Sequence, residues 1–280
     1  MSEFWKRTLS GAAYVGVVVA SILYDAVCFA SLSAVLAILA IREYNKLTHP
    51  RCWMDLCSEL CALLMNLCVT WHFYLHTPFN HWFGLAYIVI LLIPLIGELW
   101  NKDGNPIVNW GNLLIGQMMI ALPFALMSAL ALMDKWMMLA IFVLIWVNDS
   151  FAYCVGVLTA KNMPGGNHKM FPRVSPKKSW EGLFGGLAFT IGAAFILNRF
   201  GWFDAITKEG YELLIAGTFG FIVSAAGTLG DLMESLFKRS IGVKDSGKFL
   251  PGHGGVLDRF DSILLAAPMT LLFVFMMMQC

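Results

Sequence analysis

Residues 211–239 read YELLIAGTFGFIVSAAGTLGDLMESLFKR. The run 211–230 carries a single charged residue, Glu212. It has about the length, roughly 20 apolar residues, that a helix needs to cross a bilayer. From Gly230-Asp231 onward the chain turns polar without a helix breaker. Residues three, four and seven apart share one side of a helix, so Asp231, Glu234, Ser235 and Lys238 line up on a polar face. Asp231 follows the apolar run directly, where an unpaired charge is costly. The stretch therefore predicts a membrane-crossing helix that ends in a chemically equipped face at a membrane boundary.

Working outward, runs of similar character recur near 9–24, 27–41, 57–74, 82–99, 111–131, 136–158, 181–198 and 262–279. The whole chain has 280 residues, 59% hydrophobic and 13% charged, whereas a soluble domain carries about a quarter charged residues. A water-soluble fold could not cover its surface with so few polar side chains. The expected fold is all-α: a polytopic membrane protein of about nine transmembrane helices. Lysine and arginine gather in cytoplasmic loops. With the N-terminus in the cytoplasm, Lys135, Arg199 and Lys208 fall outside and the other sixteen of the 19 fall inside. One helix more or fewer in the first half would scramble that alternation, so the charges support both the count and the cytoplasmic N-terminus. The first apolar run is followed at once by a second, so no cleaved signal peptide is expected.

Seven cysteines form no C-x-x-C pair and sit mostly in apolar runs, which suits packing rather than ligation. No internal repeat or Pro-rich linker marks off a soluble domain. Residues 1–140 are expected to be scaffold, and 141–280 to carry the active site. No nucleic-acid partner is expected.

Two long loops hold the remaining polar chemistry, near 159–180 and 231–261. The second contains Lys244-Asp245-Ser246-Gly247-Lys248, Pro251-Gly252-His253-Gly254-Gly255 and Asp258-Arg259-Phe260-Asp261. Glycines at this density let backbone approach a ligand closely. Asp258 and Asp261 lie one helical turn apart, and paired carboxylates with open positions left for phosphate suit magnesium. The first loop contains Ser175-Pro176-Lys177-Lys178-Ser179-Trp180-Glu181-Gly182, where Pro176 precedes a helix start. Free N–H groups at such a start favour anions, and two ammonium groups stand beside it. Asn148-Asp149-Ser150 interrupts an apolar run, and an intramembrane carboxylate is a functional candidate or an ion-pair partner for a loop lysine.

At these residues the chain resembles the bacterial multi-pass phosphatidate cytidylyltransferase family, also called CDP-diacylglycerol synthase. That family's signature is matched by Ser235, Lys238-Arg239, Lys244-Asp245, Pro251 to Gly255 and Asp258-Arg259-Phe260-Asp261. Gly230-Asp231, Ser175 to Trp180 and Asp149 to Tyr153 fit its upstream elements. The likeness spans about 146–262; before it, only helix number and Glu43-Tyr44 are reminiscent. Phe151 stands where the family has glycine, and Met163 to Asn167 looks like an insertion.

The resemblance implies transfer of cytidylyl from CTP to phosphatidic acid, giving CDP-diacylglycerol and pyrophosphate. It implies Mg2+ in a two-cation centre, K+ being one candidate for the second ion. Asp231 and Asp258 would be metal ligands, and Lys238, Asp258 and Asp261 catalytic. Ser175, Lys177, Lys178, Ser235, Arg239 and His253 would contact substrate. It also implies a homodimer in the bacterial inner membrane, surrounded by membrane lipids, with the site on the cytoplasmic side. A CTP-dependent lipid or polyprenol kinase would use similar groups, and a transporter of an anionic metabolite could line its path with them.

Overall fold

A computed structural model describes residues 3–48, 52–78, 80–102, 105–247 and 254–279. It is helical almost throughout. In chain order the elements are α1 (Glu3–Tyr24), α2 (Ala26–Thr48), α3 (Cys52–Leu75) and α4 (His81–Gly97) with a 3-10 turn Glu98–Trp100. Then come α5 (Pro106–Gly116), a π-turn Gln117–Ala121, α6 (Leu122–Met133) and α7 (Lys135–Asn162). The hairpin β1 (Lys169–Phe171) and β2 (Ser175–Ser179) leads into α8 (Trp180–Arg199) and α9 (Glu212–Ser240). The short α10 (Leu257–Phe260) and α11 (Ile263–Gln279) complete the chain.

Among the described residues seven helical rods are long and apolar enough to cross a membrane: α2, most of α3, α4 with its 3-10 turn, α5 to α6, α7, α8 and α9. Ser10–Tyr24 and Ile263–Gln279 are shorter apolar helices. The protein is an all-α polytopic membrane protein, with one small hairpin among the described residues.

The chain forms two compact units, 1–135 with 245–260, and 136–244 with 261–280. The described parts of the glycine-rich segment, 245–247 and 254–260, thus pack with the N-terminal helices. In the first unit α2 is the central rod, its face of Ala30, Ser33, Ala34, Ala37 and Ala40 buried against α3 and α6. Small residues let membrane helices approach closely, and polar groups between them are paired. Ser33 donates to the Phe124 carbonyl at 2.7 Å, and Gln117 in the π-turn donates to the Ser58 carbonyl at 3.0 Å. The apolar run ending at residue 41 understates α2, which continues to Thr48. It can do so because its next two charges are satisfied. Arg42 forks onto Glu59 at 2.8 and 2.5 Å, and Glu43 accepts backbone N–H groups of the glycine-rich segment.

In the second unit α8 packs on α9, and α9 on α11. A Cβ on Gly182 would meet the Ala152 carbonyl oxygen at 2.8 Å, and one on Gly186 the Asn148 carbonyl oxygen at 2.9 Å. These two glycines therefore set how closely α8 lies on α7. The hairpin was not foreseen. Its strands are three and five residues long, with Pro172 in the turn between them and Pro176 inside β2, so no alternating pattern announces them. It pairs Lys169 with Ser179 and Phe171 with Ser175. α9 has 29 residues and at 1.5 Å each spans about 43 Å, more than the roughly 30 Å hydrocarbon layer. Its polar end, expected from the sequence, is one continuous piece with its apolar part.

Candidate active site

In the second unit a cavity of about 510 Å³ is lined by Asn148, Asp149, Lys177, Lys178, Thr228 and Asp231, among others. Three elements supply these groups. Ser179 caps α8, its hydroxyl accepting from the Gly182 N–H at 3.2 Å. His168 brackets the same turn: its carbonyl accepts from Trp180 N–H at 3.0 Å, and its Nδ1 lies 2.6 Å from Glu181 Oε1. Held there, Lys178 reaches across to α9. Its ammonium lies 2.7 Å from Asp231 Oδ2 and 3.3 Å from the Thr228 carbonyl, to which it donates. Ser235 donates to Asp231 Oδ1 at 3.2 Å, the i,i+4 partnership that the polar face predicts. α7 is tied to α9 by Asn148, which accepts from Ser224 at 2.6 Å and donates to Thr228 at 3.4 Å.

One turn further along α9, Lys238 is buried against Glu234 at 2.5 Å. Arg239 lies exposed and donates to the Val243 carbonyl at 2.9 Å, closing the end of α9. Asp261, in the turn before α11, accepts from the Ser262 N–H at 2.7 Å. Burial, then the neighbouring Asp231 carboxylate, pushes its carboxyl up to about 7; Asp149 adds to the rise, and the Ser262 N–H and Lys238 oppose it. A Cβ on Gly230 would stand 2.7 Å from the Asp261 carbonyl oxygen, so glycine there lets the turn press against α9.

The second unit thus gathers Lys177, Lys178, Ser235, Asp231, Lys238 and Asp261 of the residues singled out from sequence. Ser175 sits in β2 opposite Phe171 and does not line the cavity. Asp258 belongs to the first unit, where it is buried. Its Oδ2 accepts from Ser246 N–H at 2.9 Å, Ser246 hydroxyl at 3.0 Å and Gly255 N–H at 2.7 Å. Gly254, with φ of 84°, makes the left-handed bend that brings these donors round. His253 lies outside the described residues.

Glu43 was missed, having been noted only as half of a Glu-Tyr pair. Its two oxygens accept from Val256 N–H and Leu257 N–H, each at 3.0 Å, and from Ser246 hydroxyl at 3.2 Å. A charge one turn beyond an apolar run was the available signal. Asn148 was seen as part of an interrupted run, but its partners Ser224 and Thr228 look like ordinary small residues of an apolar helix.

Among the described residues no three His, Cys, Asp or Glu side chains converge to hold a metal ion by themselves. Magnesium asks for less. It keeps several waters and binds through one or two carboxylates plus substrate phosphates. Asp231 with Asp261 nearby offers hard oxygen donors of this kind, and the Lys178 ammonium already sits on one of them as a cation does. The residues present fit the ion.

Long apolar helices and a cavity of carboxylates and ammonium groups between them define a polytopic membrane protein with a charged chamber. Residues 5–277 match the Cytidylyltransferase family, and the chain belongs to it. It is 36% identical over 206 residues to a phosphatidate cytidylyltransferase of Haemophilus influenzae, covering 69% of this chain and 66% of that protein. A Rickettsia felis protein of the same name is 36% identical over 196 residues, covering 67% and 81%. One from Pseudomonas aeruginosa is 37% identical over 192 residues, covering 67% and 64%. These likenesses favour neither a lipid kinase nor a transporter.

Proposed function

We propose that the protein is a CTP:phosphatidate cytidylyltransferase. The supporting observation is the cavity in which Lys178 and Asp231 pair at 2.7 Å, on residues that fit the family's elements upstream of its signature. An oxygen of the phosphatidate phosphate attacks the α-phosphorus of CTP. A new P–O bond forms, the bond from the α-phosphorus to the bridging oxygen breaks, and pyrophosphate departs with that electron pair. A phosphate monoester has its second pKa near 6, so the nucleophile is already an anion at neutral pH and no strong base is required. The obstacle is bringing together two anions, so catalysis rests on positioning and charge neutralisation.

Lys177 and Lys178 at the cavity wall, and Lys238 in its ion pair, supply positive charge to the phosphates. Asp231 is the proposed magnesium ligand, with Asp261 in support; the metal role of Asp258 rests on the resemblance alone. Bound magnesium would neutralise charge developing on the triphosphate. The identity of a second cation such as K+ belongs to the same proposal. His253, Arg239, Ser235 and Ser175 are proposed substrate contacts on the strength of the resemblance.

The proposal extends to nine spans, a cytoplasmic N-terminus and a cytoplasmic site in a bacterial inner membrane, supported by the sixteen-to-three division of lysine and arginine. A homodimer is proposed from the resemblance. The decisive experiment is purified protein with labelled CTP and phosphatidate, with and without magnesium. CDP-lipid and pyrophosphate are expected. Phosphorylated lipid and CDP would make it a kinase, and nucleotide-independent flux in vesicles a transporter.

A further inference from the structure

The first unit contains a second cavity, of about 430 Å³, that the chemistry above does not use. One wall is α1, through Ala13, Tyr14 and Val17; the other is α2, through Leu32, Val35 and Leu39. Val17 lies four and three residues from Ala13 and Tyr14, and Leu32, Val35 and Leu39 are three and four apart, so each set is one stripe of its helix. Val17 and Val35 are 56% and 53% exposed, and the groove is therefore open sideways to whatever surrounds the helices. Its interior is apolar apart from one end.

That end is closed by Val256, Arg259 and Phe260. The Phe260 ring is clamped between Tyr14, edge-on at 5.5 Å, and Phe124 at 5.2 Å. The Tyr14 hydroxyl donates to the Arg259 carbonyl at 3.4 Å. The same end lies one turn of α2 from Glu43, which holds Val256 and Leu257. Arg259 is exposed, and among the described residues it enters no ion pair. An apolar slot of two membrane helices, ending in one guanidinium, matches a molecule with a long hydrocarbon tail and an anionic head. Guanidinium forks onto phosphate through two parallel N–H bonds.

We propose that this groove seats one acyl chain of phosphatidate, with its phosphate monoester on Arg259. The assignment rests on the reaction proposed above and names where its lipid substrate is held. A neutral lipid would fill the apolar part but leave Arg259 unanswered.

Two measurements test it. In the first, phosphatidate with a diazirine in its acyl chain is photolysed with the purified protein, and the adducts are mapped. Labelling of residues 13–18 or 32–39 is expected, competed by unlabelled phosphatidate and not by phosphatidylcholine of the same chains. Equal competition by both lipids would mean ordinary surrounding lipid and would overturn the proposal. In the second, Val35→Trp should raise KM for dioleoyl-phosphatidate about tenfold, the effect of displacing about two buried methylenes. KM for a dioctanoyl substrate should rise much less. Arg259→Gln should raise KM for both lipids about 10- to 100-fold, as for a lost charge-assisted bond, and Arg259→Lys should recover part of it. Val89→Trp, on the exposed face of α4, serves as the control for a bulky substitution. Unchanged lipid KM in Val35→Trp and Arg259→Gln would sink the assignment while leaving the reaction standing. Failure of the unaltered protein to form CDP-lipid would instead remove the reaction.

Discussion

Two pairs of carboxylates, one pair in each unit, are held in opposite ways. In the first, Glu43 and Asp258 are answered by backbone N–H groups and the Ser246 hydroxyl of one glycine-rich segment. In the second, Asp231 and Glu234 are answered by ammonium groups of Lys178 and Lys238. Backbone donors cannot leave without unfolding the segment, so the first arrangement fixes shape. An ammonium on a four-carbon stem can move aside for another cation or turn to a phosphate. The second arrangement is therefore the exchangeable one, where chemistry with charged reactants belongs.

The largest expected effect comes from the exchangeable side. Asp231→Asn keeps size and the Ser235 contact but removes the charge, and CDP-lipid formation should fall at least about a hundredfold, the scale of losing one charge-stabilising group. Insertion and thermal unfolding should stay near those of the unaltered protein. Near-normal turnover would show that the cation sits elsewhere. Asp258→Asn, by the same assay, should also stop the reaction if its expected metal role holds, and a small effect would confine Asp258 to shaping its segment.

Next is Lys178→Met. Asp231 then loses its 2.7 Å partner, so a magnesium titration should saturate at lower metal while kcat drops. A titration midpoint that rises would mean that Lys178 assists the metal rather than standing in its place.

On the shape-fixing side, Glu43→Ala leaves the N–H groups of Val256 and Leu257, both buried, without their acceptor. Each orphaned donor costs about 1–3 kcal/mol, enough to lower Tm by several degrees in detergent. Glu43→Gln keeps one neutral acceptor and should lose less. An unchanged Tm in both would contradict the anchoring role.

The smallest effect is on pH dependence. An aspartate in the unfolded chain titrates near 3.9, whereas Asp261 in the folded protein is pushed up to about 7. Between those values the folded state holds the extra proton, so the metal-free protein should lose stability as pH rises from about 4 through about 7. Asp261→Asn should flatten that slope. Thermal unfolding across this range decides it, and an identical slope in the variant would place the titration on another group.

What the sequence by itself determined is what depends on neighbours along the chain. The runs near 57–74, 82–99 and 181–198 became α3, α4 and α8 because bilayer thickness fixes the length of an apolar helix. The polar face from Asp231 to Lys238 followed from helical spacing alone. Tertiary structure decided which partner answers each charge. Lys178 and Asp231 meet because α8, which follows the Lys178 strand, packs on α9, where Gly220 leaves no room for a Cβ beside Thr190 and Ala194, and Glu43 meets Val256, 213 residues on. Contacts of that range leave no periodicity, since each end reads locally as a lone charge beside an apolar run.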